Sequence, residues 1–424
     1  MADPVEELTR GGTVTLTPHA MAHGGEAIAH APDGRVVFIG GAVPGDTVRV
    51  TLERVKKRWA RGHVVEILEA SPDRVDNACP AAAAGAGCCD YSHIAPAAQQ
   101  RFKREVLTGQ LTNHAQPSGV LNGFDLAIDL EEETLEPTLG WRTRVRLGVG
   151  PDGRAGMRKA RSNDIVADVA CAQVVPGALA GIVGTDARTF TPGAEIIVVV
   201  DSTGQRHVVE TAKAQRGRRV EQIETVIEGD LDATEIVPVD VAGQVQEFDY
   251  VFPPTAFWQA HRAAPATYSR YITDWAADEY EQATGWDLYG GVGLFVPSIS
   301  MAMGGRPRIH SVDYSDAATR GAQSCLSEFD VDVRNQKVEA GLEHLADPGL
   351  VVLDPPRTGA GTDVVSAIAQ RDPQRVIHIG CDPATLARDL AAWGDSGYVV
   401  ERMALVDAFP MTHHFEVLVS LVRA

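Results

Sequence analysis

From Trp286 to the C-terminus, short apolar runs alternate with glycine- or proline-marked turns and helical stretches, an order that limits the fold more than any other feature of the chain. The runs are 286–289, 308–313, 350–354 and 376–379, followed by a closing pair at 398–405 and 415–422. Such alternation specifies an α/β fold with a doubly wound parallel sheet, here with an antiparallel C-terminal hairpin. Ligands of these sheets sit at the carboxyl ends of the strands. The stretch 376–390, VIHIGCDPATLARDL, puts Cys381 at that place: an apolar strand, Gly380 to free the backbone, then Asp382-Pro383 to open a helix. A lone cysteine on a buried strand is ordinarily a small hydrophobe. At a strand's carboxyl end it is a candidate nucleophile.

Three further stretches place chemistry at the same edge. Asp287-Leu288-Tyr289-Gly290-Gly291-Val292-Gly293 ends a strand in a glycine turn that a cofactor can approach closely, and Asp313 ends the next strand, positioned to accept from a ribose diol. The turn lacks the full G-x-G-x-x-G. The stiff loop Asp354-Pro355-Pro356-Arg357 can hold a planar base beside a methyl donor, so the two together favour S-adenosylmethionine over a dinucleotide. Glu416 alternates with apolar Phe415 and Val417, and an apolar setting raises a carboxyl pKa toward the range of a general base. The competing reading for Glu416 is a surface residue on an edge strand.

At 424 residues the chain predicts two or three domains, with boundaries at 1–75, 76–252 and 253–424. The first has short alternating strands separated by Gly/Pro/Asp turns, the pattern of a small β-barrel. Its run 54–61, RVKKRWAR, interleaves five cations with one tryptophan and reads as a phosphate-contacting surface with a stacking ring. The net charge of −19 argues against a nonspecific polyanion binder but permits such a local patch. The middle domain is expected to be β-rich and to carry a second basic cluster, Arg216-Gly217-Arg218-Arg219. It also holds Cys79, Cys88, Cys89 and, far downstream, Cys171, four of the chain's six cysteines. Three close thiols and one remote one suit a [4Fe–4S] cluster, with a zinc site or a lost cluster as alternatives. Adjacent Cys88 and Cys89 both ligate only if the backbone turns sharply, for which Gly85 and Gly87 provide freedom. No run of 18 apolar residues and no signal pattern occur, so a cytoplasmic protein without a membrane or obligate protein partner is expected.

Residues 23–29 (HGGEAIA), 36–39, 43–46 (VPGD), the basic run and 71–75 (SPDRV) resemble the TRAM domain, an RNA-binding barrel. The stretches FWQAH (257–261), DLYGGVG (287–293), LVVLDPPRTG (350–359), GCDPATLARDL (380–390) and FPMTHHFEVLVSL (409–421), in that order, resemble the S-adenosylmethionine-dependent RNA uracil-5-methyltransferases, in the branch with a TRAM domain and an iron–sulfur cluster. The resemblance implies Cys381 as the thiolate that adds to uracil C6, since C5 is too weak a nucleophile unaided, and Glu416 as the base that removes the C5 proton. It implies cofactor or base contacts from Gln259, Tyr289, Asp313 and Asp354, supporting roles for Arg388 and His414, and a [4Fe–4S] cluster on Cys79, Cys88, Cys89 and Cys171. Barrel-bearing members look like ribosomal RNA modifiers, which makes 23S rRNA the expected substrate and tRNA the alternative. The chain departs from the family at Gly380 and Asp382 (usually Ser-Cys-Asn-Pro), at His261, at Leu294 and in its cysteine spacing. Two other readings are an amino-methyltransferase, which would leave Cys381 and Glu416 unused, and a noncatalytic RNA-binding protein.

Overall fold

Along Thr47–Val55 every second side chain turns inward, burying Val48, Val50 and Leu52, because a strand presents alternate residues to opposite faces. This strand belongs to a six-stranded N-terminal sheet, described with residues 8–216, 219–241, 243–315 and 323–424 of the chain in a computed structural model. The sheet runs in the order Thr13–Leu16, Thr47–Val55, Trp59–Glu69, Val36–Gly40, Ala27–His30, Ala20–Met21. Its core, Val37, Ile39, Val48, Val50 and Ala60, also takes in Tyr91, Ile94, Ala98 and Phe102 from beyond the sheet.

The last two of these lie on helix Pro96–Gln110, which faces two ways. Its N-terminal half completes the barrel core, and Leu107 near its end enters the core of the C-terminal domain. Lys103, midway along, is buried and donates to Asp407 Oδ1 at 2.6 Å and to the Phe409 carbonyl at 3.2 Å. The N-terminal sheet is therefore packed onto the catalytic half through a shared helix.

Residues 76–252 are divided among several places. A six-stranded antiparallel sheet is built from Ile165–Val166, Ala155–Arg158, Arg144–Val149, Glu195–Val200, Arg206–Arg216 and Arg219–Glu228. Gly217 and Arg218, the middle of the second basic cluster, lie outside the described residues. The hairpin Ala233–Val241/Gln244–Phe252 instead buries Phe248, Tyr250 and Phe252 against the catalytic domain. Strand Leu130–Thr134 joins the catalytic sheet itself, parallel to Tyr398–Asp407.

That sheet has eight strands: Val331–Asn335, Arg308–Asp313, Thr284–Leu288, Leu350–Leu353, Arg375–Gly380, Glu416–Arg423, Tyr398–Asp407 and Leu130–Thr134. The first five are parallel and Glu416–Arg423 is antiparallel to its neighbours. All four residues of Leu350–Leu353 and all six of Arg375–Gly380 are buried, as expected of parallel strands covered on both faces. The architecture is the doubly wound methyltransferase fold expected from the alternation, with one edge strand supplied from the middle of the chain. Among the described residues no helix is long and apolar enough to cross a membrane.

Candidate active site

The carboxyl ends of the parallel strands open into a cavity of about 1120 Å³. Gln259, Tyr289, Asp313, Asp354, Cys381 and Glu416 all line it, together with Cys88 and Arg142 from the middle of the chain. Each reaches the cavity by a local device. Cys381 is the first residue past strand Arg375–Gly380, and Asp382 caps the following helix, its Oδ1 accepting from the Ala384 and Thr385 amides at 3.0 Å each. Gly380 pairs with Val417 in antiparallel register, so the next positions outward, Cys381 and Glu416, face each other across the two strands. A thiol and a carboxyl are thereby opposed at the mouth of the sheet.

Around the glycine turn, Tyr289 adopts φ 61°, a conformation costly for a residue with a side chain and typical of functional turns. A Cβ on Gly290 would lie 2.1 Å from Asp287 Oδ2, so only glycine lets the turn close over that carboxyl. Asp313 Oδ2 accepts from the Gly291 amide at 3.1 Å, tying the turn to the next strand. Gln259 Nε2 donates to Asp354 Oδ2 at 3.3 Å.

Burial sets the protonation of this site. The Cys381 thiol is pushed up to about 12, first by desolvation and then by the Glu416 and Asp354 carboxyls, against the pull of Arg357. Desolvation raises Glu416 well above the carboxylate range, with Asp354 adding to it and Arg357 opposing. Asp354 is raised to about 7 by burial and then by Asp287, and Asp287 is itself raised to about 7 by burial. Among the described residues, Glu416 Oε2 and Asp287 Oδ1 are buried without a hydrogen-bond partner. A positive charge bound beside Glu416 and Asp354 would draw both back toward the ionised form, so the site suits a ligand that carries one.

Some residues take other places than the sequence implies. Arg388 is exposed and leans on the Ala384 carbonyl at 3.4 Å, outside the cavity lining. Its neighbour Asp389 is buried and accepts from the Ala360 and Gly361 amides at 2.7 and 3.0 Å, holding the loop after Asp354-Pro355-Pro356-Arg357. His414 lines the cavity beside Arg357, Nε2 3.4 Å from its guanidinium, and burial followed by His413 lowers it to about 2, so it is neutral. His261 stacks on Trp141 at 5.3 Å and is a neutral core group, lowered to about 4 by burial. Leu294 is buried in the core. Phe257, within the FWQAH stretch but given no role by sequence reasoning, projects at the cavity with 77% of its surface exposed.

Four of the other five cysteines, Cys79, Cys88, Cys89 and Cys171, converge behind the cavity wall. Sγ of Cys171 lies 3.4 Å from those of Cys88 and Cys89 and 3.9 Å from that of Cys79, and all four sulfurs fall within 4.8 Å of one another. Cys88 and Cys89 both face inward because the chain turns at Gly87–Cys88. Of the two glycines, Gly85 supplies the positive φ, 95°. Gly87 serves close approach instead, since a Cβ there would lie 2.9 Å from Ala160 Cα. An all-thiol donor set suits a thiophilic metal centre. Cys88, on the cavity lining, connects this cluster to the site.

On the basic hairpin, Lys56, Lys57 and Arg58 are exposed at the turn, and the guanidinium groups of Arg54 and Arg61 lie 5.5 and 5.8 Å from the centre of the Trp59 ring. Ring and cations form one surface.

Residues 8–65 match the TRAM domain family model and residues 342–424 match the tRNA (uracil-5-)-methyltransferase model. An uncharacterised RNA methyltransferase of Corynebacterium glutamicum is 47% identical over all of both chains, and one of Corynebacterium efficiens is 49% identical over 99% of this chain and 97% of its own. Among solved structures, the tRNA (uracil-54, C5)-methyltransferase of Pyrococcus abyssi, in complex with S-adenosyl-L-homocysteine, superposes with a TM-score of 0.68 over 96% of this chain and all of its own, at 17% identity. With a TRAM sheet ahead of a methyltransferase sheet, and full-length relatives named as RNA methyltransferases, the chain belongs to the RNA methyltransferases, and its C-terminal part, residues 342–424, matches the (uracil-5-)-methyltransferase family within them.

Proposed function

We propose that the protein methylates C5 of a uridine in 23S rRNA, in the cytoplasm, with Cys381 as nucleophile and Glu416 as base. The observation that carries this reading is the strand register that opposes Cys381 and Glu416 in a cavity also lined by Gln259, Asp354 and the glycine turn. When bound, S-adenosylmethionine supplies an electrophilic methyl group and one positive charge. Tyr289, Asp313 and Gly291 line the part of the cavity suited to hold it, and the surrounding carboxyls offset its charge. Once ionised to the thiolate, the Cys381 sulfur adds to uracil C6, the π pair of the C5–C6 bond moves onto C5 and O4, and C5 takes the methyl group as its bond to the donor sulfur breaks, leaving S-adenosyl-L-homocysteine. Glu416 then accepts the C5 proton, the double bond re-forms, and the sulfur leaves C6. Asp354 and Gln259 orient the base, and Phe257 offers a ring for a nucleotide drawn out of its stack.

The four clustered cysteines hold a metal centre on this reading, and the family resemblance makes it a [4Fe–4S] cluster. A zinc ion is the second reading: a tetrahedron with metal–sulfur bonds of about 2.3 Å has sulfurs about 3.8 Å apart, close to the 3.4–3.9 Å of the three pairs made by Cys171 and of the Cys88–Cys89 pair. Metal and acid-labile sulfide analysis of anaerobically purified protein separates the two. For the RNA, tRNA is the second reading, because the tRNA enzyme aligned above spans 96% of this chain and so accompanies the N-terminal sheet as well.

The test of the chemistry is RNA carrying 5-fluorouracil, whose fluorine cannot leave as a proton. With S-adenosylmethionine, wild type is expected to form a covalent complex stable on a denaturing gel, and Cys381→Ala none. Absence of a complex with both 23S and tRNA fragments, despite normal cofactor binding, would sink the thiol mechanism. Which fragment reacts decides the substrate.

A further inference from the structure

The N-terminal sheet reaches the catalytic thiol's own loop. The turn Ala22–Glu26, closed by Ala22 N to the Glu26 carbonyl at 2.7 Å, carries His23, whose Nε2 lies 3.0 Å from Asp382 Oδ2. Asp382 directly follows Cys381. Its Oδ1 is occupied by the two amides of the helix cap, so Oδ2 is the oxygen left to bind His23 Nε2–H. Two residues on, Gly25 (φ 83°) packs so tightly that a Cβ would lie 2.3 Å from Asp90 Oδ2 and 3.0 Å from His413 Nδ1. Asp90 in turn accepts from the His413 amide at 3.1 Å and pairs with its ring, and both residues line the cavity. His413 stands in the loop that leads to Glu416. One turn of the N-terminal sheet thus touches the segment on each side of the Cys381–Glu416 pair, and the shared core with helix Pro96–Gln110 keeps that sheet from being a loose tether.

We propose that His23 is a positioning residue for methyl transfer: by holding Asp382 it fixes the Cys381 loop, so that the RNA-binding domain is a structural part of the active site. The proposal rests on Cys381 being the nucleophile. A hydrogen bond to a carboxylate is worth enough that its loss slows adduct formation by roughly ten-fold when a loop must be held in a reactive pose. Asp382→Ser keeps a competent helix cap but is too short to reach His23. His23→Gln keeps an N–H near the position of Nε2.

The experiment measures the single-turnover rate of adduct formation with 5-fluorouracil RNA at saturating RNA. Alongside it, the rate at which iodoacetamide alkylates Cys381 in RNA-free protein is read by peptide mass spectrometry, with Cys325 as internal reference. Expected are a loss of about ten-fold in adduct rate for His23→Ala and for Asp382→Ser, no further loss in the double variant, and recovery in His23→Gln. Alkylation of Cys381 should speed up several-fold in the first two variants and return to the wild-type rate in His23→Gln. Additive losses, or weaker RNA binding with both rates unchanged, overturn the proposal and leave His23 as an RNA contact. A wild type that forms no adduct with any RNA defeats the thiol mechanism instead, and the alkylation rates then decide the positioning role alone.

Discussion

At the scale of single residues, the site is organised by withholding water from acids. Glu416 is 6% exposed with one oxygen unpartnered, and its raised pKa follows from that burial. A positive charge brought beside it lowers that pKa and ionises it, and a desolvated carboxylate then accepts the C5 proton strongly late in the reaction. Glu416→Gln preserves shape and removes that capacity. Methyl transfer to ordinary uridine RNA should still occur, but the enzyme should stay attached to C6, giving a denaturation-resistant complex without fluorine and turnover reduced by about 10²–10⁴-fold. A Gln variant that released product at the wild-type rate would remove Glu416 from the reaction. Adjacent residues in the same motif illustrate how finely roles divide: Arg388 faces solvent, while buried Asp389 holds the loop that follows Arg357.

Among elements, helix Pro96–Gln110 decides how the halves meet. Lys103 is buried at its centre, and desolvation lowers its pKa while Asp407 opposes the change. Asp407 ends strand Tyr398–Asp407, and its carboxyl also accepts from the Phe409 amide at 3.1 Å, so the pair anchors the start of the loop that runs to Glu416. Breaking such a pair on one side leaves a buried charge. Lys103→Ala should therefore cost about 3–5 kcal/mol and lower the melting temperature. Lys103→Met with Asp407→Leu should recover much of that stability but not the reaction rate, because no charge then orders the loop. A double variant as unstable as Lys103→Ala would contradict this account.

For the molecule as a whole, the clustered carboxyls couple stability to pH. Asp287 is fully buried with its pKa raised from 3.8 to about 7, so the folded protein binds a proton there more tightly than the unfolded chain does. The resulting stability is present in full below the unfolded value near 3.8 and is lost as pH rises through about 7. Asp354 and Glu416, shifted the same way, act in the same direction. Melting of the ligand-free protein should thus fall between about pH 4 and pH 7, by a few kcal/mol of stability, with a shallower slope in Asp287→Asn. S-adenosylmethionine, a cation, should protect more at the alkaline end than uncharged S-adenosylhomocysteine. Equal protection by the two would argue against charge matching in the cavity.

The alternation of apolar runs and the motif residues 287–293, 354–357 and 380–383 carried the methyltransferase fold and its lining residues into view, because parallel strands, tight turns and helix caps depend on local side-chain chemistry. Strand alternation likewise revealed the N-terminal sheet. Local patterns are silent on partners hundreds of residues away. Only folding showed that Leu130–Thr134 edges the catalytic sheet and that register opposes Cys381 and Glu416. The same holds for His23 against Asp382, 359 positions apart. Those contacts depend on how whole domains pack, a free energy summed over many buried side chains and written in no single stretch of sequence.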